Sequence, residues 1–239
     1  MIKTSENYIF EIIGRPILGI GTTAVVFLTK NNEVFKIYLD TERKHYLFQE
    51  YNMKEHLLEL SNIDIKHIYT PKDIYMKDET VIGIKLDYIK GNTLKKKIPD
   101  IKLKEFSNML EVLIEETNKL SELGVFVRDF HSKNVIINSD GINIFDTDQF
   151  DITIFSKDWC LEHNLNAFIH EILYTIFKFP NGFDFQSKCL SALLTKFFYP
   201  IGTSEDDLKL YYALCEELGG DTSIRDVNRL VKTLGKVNF

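Results

Sequence analysis

The chain opens with a period of two. From residue 8 to residue 39, apolar and polar positions alternate around Asn31-Asn32, with Val, Ile and Phe enriched on both sides. Alternation of this kind marks half-buried strands, and an Asn pair marks a turn. A β-rich beginning is predicted. The period then changes: between Thr41 and Leu60, apolar side chains at Tyr46, Leu47, Tyr51, Met53, Leu57, Leu58 and Leu60 recur at helical spacing. One long helix is predicted there. After Pro71, "KDIYMKDETVIGIKLDYI" holds two β-prone runs split by the polar KDET and closed by Gly91.

Beyond Gly91 the helical period dominates. Leu103, Phe106, Met109, Leu110, Leu113, Ile114, Thr117 and Leu120 form one stripe over residues 102–123, and Gly124 ends it. Residues 164–180, 186–198, 204–218 and 223–235 also read as helices, with a break at Phe179-Pro180-Asn181-Gly182. Between them, "NVIIN" and "INIF" read as two short strands joined at the turn Ser139-Asp140-Gly141. Strands first and helices later indicate an α+β chain in two parts, residues 1–90 and 91–239.

Composition narrows the function classes. With 239 residues and 44% hydrophobic content the chain can bury a real core. A formal net charge of -6 argues against a nucleic-acid partner, which calls for a basic face. Cys160, Cys189 and Cys215 are odd in number and widely spaced, which fits neither a disulfide framework nor a zinc site. No apolar run is long enough for a signal peptide or a membrane span, so a cytoplasmic location is expected, with specialised secretion left open.

The chemistry-bearing residues fall in two stretches. In "ILGIGTTAVVFL", Gly19 and Gly21 fit a GxGxxG pattern whose third position is Ala24. Glycines let backbone amides approach phosphate, although a plain hairpin turn uses them too. The strand-like "VVFL" that follows favours a hairpin tip over a dinucleotide fold, which needs a helix there. Lys36 then interrupts an apolar strand. Alone it reads as a solvated edge residue, but after a glycine loop it becomes a candidate phosphate ligand. Such a lysine needs a carboxylate to orient it, and Glu50 or Glu55 of the predicted helix could serve; Glu50 fits the inward face better.

The second stretch is "GVFVRDFHSKNVIINSDGINIFDTDQF", residues 124–150. Asp129 precedes the first short strand, Asn134 starts it, and Asp146 follows the second. A hairpin brings such ends together. Asn134 and Asp146 offer oxygens suited to magnesium, while Asp129 remains free to orient or deprotonate a hydroxyl. Singly, each is more often a turn or cap residue.

Taken as an ordered set over residues 17–150, these motifs resemble the protein-kinase-like superfamily. "GIGTTAVV" resembles its glycine-rich loop, "VFKIY" its lysine strand, "KLDYIKGNTL" its hinge, "VRDFHSKN" its catalytic loop and "FDTD" its DFG element. The resemblance implies a bilobal fold, with a β-rich N-lobe carrying one long helix and a mainly helical C-lobe, and Mg²⁺-ATP as cofactor. It implies that Lys36 grips the α- and β-phosphates and that Glu50 pairs with it. Gly19, Gly21 and Ala24 would line the phosphate loop. Val26 and Val34 would sandwich adenine, with Leu86 as gatekeeper and Asp87 and Ile89 along the adenine edge. Asp129 would position the acceptor hydroxyl, and Asn134 and Asp146 would hold magnesium.

The departures bear on substrate. Val127 stands for the histidine of HRD, and Thr147-Asp148 for the Phe-Gly of DFG; Asp148 could add a carboxylate to the metal site. DxHxxN, with His131, is similar to small-molecule phosphotransferases, and no APE-like element follows. Trp159, the single tryptophan, is expected to be buried. The leading expectation is a compact Ser/Thr protein kinase. The alternatives are a small-molecule kinase and a nucleotide-binding scaffold without transfer.

Overall fold

The computed structural model describes residues 2–4, 12–39, 52–153, 155–177 and 204–234. The chain divides into two compact units, Met1–Lys90 with Ile144–Ile152, and Gly91–Asn143 with Thr153–Phe239.

The first unit is built on a six-stranded sheet of β1 (Ile2–Thr4), β2 (Ile17–Ile20), β3 (Ala24–Leu28), β4 (Glu33–Tyr38), β5 (Asp73–Lys77) and β6 (Thr80–Asp87). Their spatial order is β1-β5-β6-β4-β3-β2. β1 runs parallel to β5 and the other neighbours are antiparallel. The alternation seen in the sequence thus becomes three consecutive strands, and Asn32 at the β3–β4 turn adopts φ 56°. Asn tolerates that left-handed conformation better than most residues.

β4 lies between β3 and β6, so Lys36 is not on an edge, and its side chain is buried. Across from β4, Gly83 allows close approach: a Cβ there would lie 2.6 Å from the backbone oxygen of Lys36. One face of the sheet packs on helix α1 (Met53–Leu60) through Ala24, Tyr38, Leu57, Ile74, Met76, Val81, Ile84 and Leu86. The first half of the helix predicted over 41–60, Glu50 included, falls outside the described residues.

The second unit is mainly helical. In α2 (Leu103–Glu122) the buried positions Leu103, Phe106, Leu110, Leu113, Thr117 and Leu120 follow the predicted stripe. Gly124 ends the helix at φ 72°, a conformation glycine adopts without strain. The predicted hairpin is β7 (Val135–Asn138) with β8 (Gly141–Ile144). Then follow α3 (Lys157–Leu165), a π-helical turn at Asn166–His170, α4 (Glu171–Ile176), α5 (Ser204–Leu218) and α6 (Ile224–Leu234). Tyr211 of α5 packs edge-on to Phe106 and donates a hydrogen bond to the carbonyl of Leu103 at 2.7 Å.

Two expectations need correction. The helix expected from residue 164 begins at Lys157, because the Ser156 hydroxyl caps it by accepting from the Trp159 amide at 3.3 Å. Trp159, expected to be buried, is 41% exposed. It lies on the first turn and stacks on Phe126 at 5.0 Å, using its ring face rather than a pocket. The helix expected over 186–198, with Cys189, lies outside the described residues. Among the described residues no helix is long and apolar enough to cross a membrane.

Candidate functional site

In the first unit the chemistry converges on Lys36. β4 carries it inward, and its Nζ lies 2.5 Å from Oδ1 of Asp146 and 2.7 and 2.9 Å from the two oxygens of Asp148. Tyr38, two residues on and therefore on the same strand face, donates its hydroxyl to Asp148 Oδ2 at 2.7 Å. From α1, His56 Nε2 lies 3.1 Å from the backbone oxygen of Asp148.

Burial alone would push the Lys36 ammonium down, but Asp148 and Asp146 outweigh it and hold the amine above its usual value. Burial likewise works to raise the Asp148 carboxyl, and the Lys36 ammonium overrides it to hold the group below the ordinary carboxylate value. Burial, then the neighbouring Asp148 charge, pushes the Tyr38 hydroxyl well up, so it stays a donor.

Residues 144–152 are held in this unit by main-chain bonds. The Ile144 amide donates to His67 and the Tyr69 amide to Ile144, each at 2.8 Å. The Thr147 hydroxyl donates to the carbonyl of Tyr69 at 2.9 Å. Asp146 sits at φ 63°, in the sparsely used left-handed region, and this turn takes the chain from β8 toward Lys36.

The other first-unit candidates divide by burial. Ala24 and Leu86 belong to the core, with Val34 packed against it. Val26 pairs across the sheet with Lys36, and Ile89 is buried. Asp87 is solvent-facing and pairs with Lys72 at 2.5 Å. The loop after Gly19 is a tight turn in which the Gly21 amide donates to the carbonyl of Ala24 at 2.8 Å. Glu55 is exposed on α1.

In the second unit, Asp129 precedes and Asn134 ends a short 3₁₀ turn, Ser132–Asn134. Asp129 is exposed, Asn134 is buried, and the Asn134 amide reaches the backbone oxygen of Asp129 at 3.5 Å. Asp129 also takes a left-handed φ, 49°. Glu171 of α4 fixes the turn by accepting the Ser132 amide at 2.7 Å. Among the described residues no group of three or more His, Cys, Asp or Glu is arranged to hold a metal. In the first unit Asp146, whose side chain is 37% exposed, offers an oxygen of the kind a hard cation takes; in the second unit buried Asn134 offers another.

The sequence reading missed the roles of Asp148, Tyr38 and Glu171. For Tyr38 a signal existed, since i and i+2 on one strand share a face. Asp148 carried a weaker one, a charge two residues past Asp146 in a stretch that otherwise packs inward.

No protein-family model and no curated protein sequence matches the chain. A solved structure titled as the apo GRMZM2G135359 pseudokinase does: it is 12% identical, the match covers 100% of this chain and 95% of that one, and the TM-score is 0.57. At that identity the likeness speaks to fold, and the fold is kinase-like.

Proposed function

We propose that this chain is an ATP- and Mg²⁺-dependent phosphotransferase of bilobal kinase architecture, transferring the γ-phosphoryl to a protein Ser or Thr hydroxyl. One observation carries the reading: Lys36, in the interior of a sheet, is paired with Asp146 and Asp148 from 110 and 112 residues away. A buried ion pair is poor value as stability alone, since apolar side chains of similar size often do as well. Its presence on the central strand fits a lysine kept for phosphate.

In this reading Lys36 grips the α- and β-phosphates, and Asp129 aligns the acceptor hydroxyl and takes its proton. Ala24 belongs to the phosphate loop, Val26 and Val34 sandwich adenine with Leu86 as gatekeeper, and the Asp87 and Ile89 backbone lies at its edge. Asp146 and Asn134 hold magnesium, which when bound supplies positive charge to the phosphate oxygens. One ammonium against two carboxylates leaves the Lys36 cluster one negative charge in excess, a fit for a cation. Gly19 and Gly21 support the same reading. A Cβ at Gly19 meets nothing within 4 Å and one at Gly21 makes only an ordinary 3.5 Å contact, so the chain's own packing demands glycine at neither. A cytoplasmic setting, rich in ATP and reducing toward thiols, accords with this chemistry.

A small-molecule acceptor is the second reading. The ring Nδ1 of His131 is shut off from solvent without a protein partner among the described residues, and helix α3 follows closely after Ile152, which leaves little chain to seat a peptide. A nucleotide-binding protein without transfer is the third, motivated by Thr147 and Asp148 in the DFG positions.

The test is purified protein with γ-labelled ATP and Mg²⁺, beside Asp129→Asn. Label on Ser or Thr in the wild type only supports the protein kinase. Transfer only to added aminoglycosides or other small alcohols selects the second reading, and nucleotide binding without transfer the third. A protein that binds no nucleotide refutes all three.

A further inference from the structure

We infer that Asp148 is the residue that positions Lys36, in the role assigned from sequence to Glu50, and that this leaves Asp146 available to a cation. The inference rests on the nucleotide reading above. Lys36 meets Asp148 through both carboxylate oxygens and Asp146 through one. The Asp148 side chain is 1% exposed and fastened a second time by the Tyr38 hydroxyl, while its main chain is held by His56. Asp148 is thus tied to both β4 and α1.

Asp146 is placed differently: its side chain is more than one-third exposed, and Lys36 is its bonded partner. If Asp146 were the sole counter-ion of Lys36, a cation drawing that carboxylate away would leave a buried ammonium uncompensated, at a large cost. With Asp148 fixed in place, Asp146 can turn to a cation and Lys36 stays both paired and oriented. The two carboxylates divide two tasks that would otherwise compete for one group.

A double-mutant cycle tests this in two readouts. The first is thermal stability, which needs no nucleotide: Asp148→Asn should lower Tm by about 5 °C or more in the wild type and by much less in Lys36→Met, where no buried ammonium is left with only the part-exposed Asp146 to meet it. The matching cycle of Glu50→Gln with Lys36→Met should show the smaller coupling. The second readout is the Kd for ADP without Mg²⁺. Asp148→Asn should weaken it about tenfold, with no further loss in the Lys36→Met background.

Tyr38→Phe keeps the ring packing and removes only the hydroxyl. It serves if Asp148→Asn is insoluble, and should weaken ADP binding about threefold, again only when Lys36 is present. Additive effects of Asp148→Asn and Lys36→Met in the stability readout, or a larger coupling of Lys36 to Glu50, overturn the inference. A wild type that binds no nucleotide overturns the proposed function instead, and the stability cycle still decides whether Asp148 anchors Lys36.

Discussion

The side-chain oxygen of Asn164 accepts the backbone amide of Val127 at 2.9 Å, and the Asn164 amide donates to the carbonyl of Val125 at 2.8 Å and to the Ser121 hydroxyl at 3.1 Å. His163 Nε2 lies 3.2 Å from the Val127 carbonyl. The chain leading into Asp129 is therefore pinned by its main chain. That explains how valine stands where the resemblance places histidine: the anchoring comes from α3, and the side chain at 127 only has to pack.

Asn164→Ala should leave the Val127 amide and Val125 carbonyl buried without partners. The expected loss is about 2–4 kcal/mol, read from the urea midpoint of unfolding. A midpoint that does not move would show that the anchoring carries no energy.

Asp146→Ala removes a partly exposed carboxylate while Asp148 still compensates Lys36, so the fold should lose no more than about 1 kcal/mol. Under the proposed function, titration with ADP should show the Mg²⁺-dependent gain in affinity largely lost and the Mg²⁺-free affinity kept. Equal loss with and without Mg²⁺ would remove Asp146 from the metal role.

Gly83→Ala would drive a Cβ to 2.6 Å from the Lys36 backbone oxygen and 3.1 Å from the Phe35 ring. β4 has to shift to admit it. About 3 kcal/mol of destabilisation is expected, and under the proposed function weaker nucleotide binding, because the displaced strand carries Lys36. Calorimetry and an ADP titration check both effects, and an alanine accepted without change in either would count against the close approach.

His170 Nδ1 lies 3.2 Å from Asp207 Oδ2, and that bond, aided by the Asp207 and Glu171 charges, raises the imidazole above its usual value despite some burial. A raised folded-state value means the pair stabilises fully below the unfolded histidine value, near 6.5, and loses its contribution as pH rises through the folded one. The advantage of wild type over Asp207→Asn should thus be larger at pH 5.5 than at pH 8.5. With His170 more than one-third exposed it should stay under about 1 kcal/mol. Melting curves of both proteins at both pH values decide it, and an advantage that grows with pH would reverse the assignment.

Much of the fold was legible because local patterns governed it. The period-two run around Asn31-Asn32 became β3 and β4, the Leu103-to-Leu120 stripe became the buried face of α2, and Ser139-Asp140-Gly141 became the β7–β8 turn. β1 escaped notice because three residues pairing with a strand some 70 positions away leave almost no local trace. The site shows the same divide. That Lys36 needs a carboxylate could be reasoned from its chemistry, but which carboxylate answers could not. Asp148 reaches it through a turn at Asp146 with positive φ, a conformation aspartate adopts more readily than most residues but still only in a minority of cases. Asn164 was invisible for a related reason, since it acts on backbone atoms that look alike in every sequence.

The distance along the chain between Lys36 and its counter-ions has a consequence for synthesis. The ribosome delivers all six strands of the sheet by Asp87, but Asp146 emerges 59 residues later, 110 after Lys36. At about 5–20 residues per second the complete sheet waits roughly 3–12 seconds. A nascent sheet that closed in that interval would bury Lys36 with neither aspartate to meet it. The amino-terminal unit should therefore reach its full stability only once residues 144–152 have been made. A fragment ending at Lys90 lacks the same two charges for good, and one with residues 144–152 spliced back onto it should melt at the higher temperature.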